Sequence, residues 1–187
     1  CFQYPYLDII GRFPRDYYWM YPAILLSFSY LVMMITIHRS MPAEKNLFSA
    51  VASGFAIISS LILSSDYFIQ VSFIQPSLLA GETDGVAMMS QFNPHGIFII
   101  MEELGFITMN ISFFCLVPVF SNSNRLEKSI RWTFIISFIM MIVSLISVLL
   151  IYGVRREYRF EVSIISITWI ELRITGVLLM CHFNTNA

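Results

Sequence analysis

The chain has 187 residues, of which 57% are hydrophobic and 12% charged, with a formal net charge of -1. An average soluble domain is about 25% charged, and a soluble fold of this size needs polar residues over much of its surface. A disordered chain, a nucleic-acid binder and an ordinary soluble domain are thereby excluded, which leaves an integral membrane protein whose first partner is the lipid bilayer.

The opening segment, 1–16, is rich in aromatic and apolar residues and reads as an interfacial anchor. Tyr4, Tyr6, Tyr17, Tyr18, Trp19 and Tyr21 suit a headgroup belt. Leu7, Ile9, Ile10 and Phe13, with Arg12 and Arg15, suit a segment lying along the surface. Cys1 stands where a start methionine would, the mark expected of a trimmed or incomplete chain; a lipidated mature terminus is the sharper alternative. Cys115 and Cys181 fall in apolar runs, so neither a disulfide framework nor a metal spacing is expected.

Residues 17–182 then hold five apolar stretches long enough to cross a bilayer as helices, which takes about 20 residues. The first is expected from Tyr17 to His38, capped by Asp16. The second is expected from Leu47 to Gln75, ended by Pro76. The third is expected from Asn93-Pro94, an N-cap followed by a first-turn proline, to Phe120. The fourth is expected from Trp132 to Gly153, and the fifth from Glu161 to His182. The connection 76–93 is the long one, a loop or a short interfacial helix; residues 183–187 form a tail. The expected fold is therefore an all-α polytopic membrane bundle. No internal repeat supports an inverted-repeat transporter plan.

Charges inside the spans are the informative anomaly. An Asp, Lys or Arg at a helix centre costs roughly 2.5–3.5 kcal/mol on insertion. Asp66, Glu102, Glu103, Glu171 and Arg173 all fall in apolar stretches, so they should face the bundle interior, a wet pocket or each other. The second and third spans form an antiparallel hairpin. From the helix rise, Asp66 and Glu103 each lie about 14 Å below the N-terminal side, and Glu171 about 15 Å. Asp66 can therefore meet Glu102 or Glu103 at one level. Gln70 shares a face with Asp66, and Asn110 one with Glu103. Arg173 can lie over Trp169, four residues away, or reach an acid on another helix.

Four carboxylates against one Arg cannot all stay ionised in a dry interior. That chemistry suits a proton relay, a cation site or an acid–base catalyst. The leading expectation is a small protein that handles a ligand, ion or proton through Asp66, Glu102 and Glu103, with Gln70, Asn110, Glu171 and Arg173 lining or balancing the site. The alternatives are a membrane-embedded acid–base enzyme acting on a lipid-soluble substrate, and a structural or accessory subunit. No Glu-x-x-His or His-x-x-x-His pair is present, so neither metal nor cofactor is expected.

The runs DYFIQVSFIQPSLLAGETDG, SQFNPHGIFIIMEELGF, NRLEKSIRW and EYRFEVSIISITW resemble a group of uncharacterised prokaryotic multi-pass membrane proteins, over residues 17–180. The resemblance implies about five spans in a bacterial or archaeal inner membrane and carries no activity. Orientation follows weakly from charge, because each side holds five Lys or Arg residues. The long second connection lacks both, which favours the N-terminus outside and the C-terminus inside.

Overall fold

The computed structural model describes residues 15–121 and 124–186. Most of the opening segment, including Cys1 and the aromatic and basic residues before Arg15, lies outside the described residues. The described residues form α1 (Arg15–Tyr18), α2 (Met20–Arg39), α3 (Asn46–Ile69), α4 (Gln75–Leu79), α5 (Val86–Met89), α6 (Ile97–Cys115), α7 (Arg125–Tyr152) and α8 (Arg159–Asn186). They contain no strand, and five helical stretches are long and apolar enough to cross a membrane.

The span ends differ from expectation at several points. Asp16 lies within α1, and the residue preceding α2 is Trp19, which makes no side-chain capping bond. Pro76 does not end the second span. Gln70–Ile74 form a π-helical turn in which the Gln75 N–H bonds the Gln70 carbonyl, and Pro76 follows inside α4. The wider turn takes up the missing donor and the ring clash that would break a regular helix. The stop comes at Gly81, whose φ of 77° needs the conformational freedom of glycine. There the Glu82 N–H closes onto the Ser77 carbonyl at 2.9 Å. The second span accordingly runs Ala43–Leu79.

Asn93-Pro94 belong to a turn, not to the start of a helix. The Asn93 side-chain oxygen accepts from the His95 N–H at 3.0 Å, and its carbonyl accepts from the Gly96 N–H at 2.9 Å. The helix starts only at Ile97 and stops at Cys115, short of Phe120. By contrast α7 begins at Arg125, earlier than expected, because Asn124 caps it by accepting from the Leu126 N–H at 3.1 Å. The fifth helix continues to Asn186, so most of the expected tail is helical.

α6 is the central element. Of its apolar span 61% is buried, against 11% for α7. It packs against α3, α7 and α8, while α2 packs on α3. The approach to α3 is closest at Gly105: a Cβ there would lie 2.5 Å from Leu63 Cδ2. Small and hydroxyl-bearing residues let these helices approach and then tie them. Ser59 Oγ donates to the Gly105 carbonyl at 2.8 Å, Ser60 Oγ donates to the Ser27 carbonyl at 3.0 Å, and Tyr30 and Ser112 join their hydroxyls between α2 and α6. At the end away from Trp19, Lys45 Nζ donates to the Val119 carbonyl at 2.5 Å.

Candidate functional site

The N-terminal half of α6 carries Glu102 and Glu103, both buried. Consecutive helical residues point about 100° apart, and the two carboxyls take different partners. Glu102 Oε1 accepts from the Tyr67 hydroxyl of α3 at 2.5 Å. Its carboxyl also meets that of Glu161, reaching in from the first turn of α8. Glu103 Oε2 pairs with the Arg156 guanidinium at 2.6 Å. Asp66, beside Tyr67 on α3, is 4% exposed, and its Oδ2 has no hydrogen-bond partner. It is an electrostatic neighbour of Glu102 and Glu161.

A cavity of about 260 Å³ lies against this cluster. Glu102 and Glu161 supply its charge, while Trp19, Tyr67, Phe98 and Trp169 supply aromatic walls. Gln91 and Ile165 complete the lining. Trp19 and Tyr67 meet edge to face, with centroids 5.3 Å apart and planes at 76°. Tyr67 and Phe98 are 6.1 Å apart at 55°.

The structure thus brings Asp66, Glu102 and Glu103 together and sorts the other expected residues elsewhere. Gln70 ties the connection to the helix: its Nε2 donates to the Met89 carbonyl at 2.5 Å, and its Oε1 accepts from the Gln91 N–H at 3.2 Å. Asn110 and Glu171 form their own buried contact between α6 and α8, Nδ2 to Oε2 at 2.8 Å. Arg173 reaches none of the acids. It is exposed, 6.0 Å from the Trp169 ring, in an apolar groove with Leu26, Tyr30 and Met33. Glu171 and Arg173, two residues apart on a helix, point to opposite sides.

The Asn110 contact yields a stability prediction. Asn110→Leu leaves a buried carboxyl with neither oxygen bonded, since Glu171 Oε1 already lacks a partner. The expected cost is about 3 kcal/mol. Adding Glu171→Leu should recover most of it. Thermal unfolding in detergent reads both; an unchanged single variant would refute the account.

Tyr67, Arg156, Glu161, Trp19 and Trp169 are the cluster residues that sequence reasoning left out of the site. Glu161 reads as the start of a helix and Arg156 as part of a basic turn, so neither looks like a partner for a buried acid. The later start of α6 also changes the depth of Glu103. With α6 starting at Ile97, Glu103 lies about 9 Å from its beginning, not about 14 Å. Among the described residues, no group of three His, Cys, Asp or Glu side chains is arranged to hold a metal ion. Comparison with protein-family models, curated proteins and solved structures gave no match.

Proposed function

We propose that this protein handles a small ligand, ion or proton at the intramembrane carboxylate cluster. The carrying observation is the meeting of Asp66, Glu102, Glu103 and Glu161, from three helices, beside a cavity of about 260 Å³. Acids facing lipid would be costly, and acids serving only to hold helices together would be fully bonded. Here Asp66 Oδ2 and Glu103 Oε1 have no bonding partner. On this reading a proton exchanging between Glu102 and Glu161 is the mobile charge at the cavity wall. On this reading the chain sits in a bacterial or archaeal inner membrane, with the N-terminal side and the cavity outward.

The test is pH-dependent flux or binding by the full chain in proteoliposomes. Asp66→Asn and Glu103→Gln should each lower the signal by about tenfold, the factor carried by roughly 1.4 kcal/mol of lost interaction. A signal that survives both substitutions overturns the reading. The Glu102–Glu161 pair also has the form of an acid–base couple, which favours a membrane-embedded enzyme as the second reading. That reading requires turnover of a lipid-soluble substrate to disappear in Glu161→Gln.

A further inference from the structure

We infer that the cavity beside Glu102 and Glu161 is a binding site for a small organic cation, an amine or quaternary ammonium with apolar substituents. The inference rests on reading the carboxylate cluster as a ligand site and names the class of ligand it would take. Three features of the cavity select that class.

The first is charge. Glu102 and Glu161 line the cavity, and among the described residues no basic side chain does. The nearby guanidinium of Arg156 is held by Glu103 and lies outside the lining. Asp66, nine-tenths buried and with Oδ2 unpartnered, adds a further acid facing the same carboxyls. An anion entering would meet these acids on one wall.

The second is the aromatic surround. Trp19, Tyr67, Phe98 and Trp169 form most of the remaining wall. The Trp19–Tyr67 and Tyr67–Phe98 pairs meet at steep angles, like the corner of a box, so the rings are not stacked face to face. Faces of indole and phenol rings attract cations through their quadrupole, tryptophan most strongly, and aromatic cages recognise ammonium groups in this way. A bare inorganic cation instead requires a shell of oxygen ligands, six or so for hard divalent ions. Here Glu102, Glu161, Gln91 and Tyr67 bring oxygens to one part of the lining, with Glu102 already bonded to Tyr67 and Glu161, while Trp19, Phe98, Trp169 and Ile165 bring none.

The third is size. About 260 Å³ falls just below the range of about 300–1,000 Å³ typical of pockets for drug-sized ligands. The fit is to an amine with a few carbons or one ring.

Fluorescence tests this directly, because two of the three tryptophans in the chain line the cavity. The full chain in lipid nanodiscs, with Trp132→Phe to remove the third, is titrated with benzylammonium and tetraethylammonium. Potassium and benzoate serve as the inorganic-cation and anion controls. Saturable quenching is expected with the organic cations and not with the controls. Glu161→Gln and Trp19→Leu should each weaken binding by about tenfold, and Trp169→Phe should retain it. Trp19 is 42% exposed, so its substitution tests the cage without emptying the core.

Three results would overturn the inference. One is potassium binding more tightly than either amine. Another is amine binding that is indifferent to both Glu161→Gln and Trp19→Leu. The third is no amine binding while the wild-type chain still shows an Asp66-dependent proton flux, in which case the carboxylate reading survives. If neither amine binding nor Asp66-dependent flux is found, both fall together.

Discussion

Arg156→Met should destabilise the protein by about 3 kcal/mol, at the lower end of the 3–5 kcal/mol typical of breaking a buried ion pair. Arg156 is 30% exposed at its side chain, which softens the loss, but Glu103 is 5% exposed and has no second partner to fall back on. The substitution keeps the length of the apolar stem, so packing against Phe160, whose ring lies 5.6 Å from the guanidinium carbon, is largely retained. What goes is the countercharge. Glu103→Gln should cost less, because it removes the charge that needs compensation. The double variant should then be no less stable than Arg156→Met alone. Unfolding of all four proteins in detergent closes the cycle. Equal stability of Arg156→Met and the wild type would mean that Glu103 is satisfied in another way.

Gly105→Val should be comparably damaging through geometry instead of charge. A Cβ at this position would come within 2.5 Å of Leu63 Cδ2 and 2.6 Å of Leu63 Cγ. Leu63 is itself fully packed, so it has no room to withdraw. Overpacking of this kind costs typically 1–3 kcal/mol, and forcing α3 from α6 also strains the Ser59 bond to the Gly105 carbonyl. The value expected is about 3 kcal/mol. The separation should reach the site as well, because Tyr67 and Asp66 ride on α3 and Glu102 on α6. Gly105→Ala should show a smaller form of both effects, and Leu63→Ala added to it should restore part of the loss. Melting temperature and amine binding, measured on the same samples, check the two arms. A stable, fully binding Gly105→Val protein would contradict the close approach.

The five long apolar helices were legible because a run of that length and composition has few other uses. Their ends were less so, because end signals are shared with other local structures. Asn93-Pro94 has the residues of a helix start, yet Asn93 spends its side chain and carbonyl on the turn that precedes Gly96. Pro76 has the residue type of a helix stop, yet the π turn before it accommodates the ring. The meeting of Asp66 with Glu102 followed from two adjacent antiparallel spans and the rise per residue. The parts played by Glu161 and Arg156 did not, because they depend on how α8 docks beside α6, and no periodicity within either helix encodes that. A basic turn reads as solvated until a buried acid is found next to it. Glu171 and Arg173 sit in the same apolar stretch, but helical geometry sends them opposite ways, one to Asn110 and the other to the surface.

The contrast between α7 and α8 bears on how the chain enters its membrane. α7 is the most apolar of the five spans and the least buried, so it is stable in lipid before any neighbour arrives. α8 carries Glu161, Glu171 and Arg173 and, inserted alone, would meet a cost of several kcal/mol. Only the short connection between Tyr152 and Arg159 separates them, and the two pack together, so insertion as one helical hairpin is the expected route. α6 precedes both in the chain and carries Asn110, the partner of Glu171. The helix with the smallest share in the packed interior is thus the chain neighbour of one that depends on that interior to hold Glu161 and Glu171.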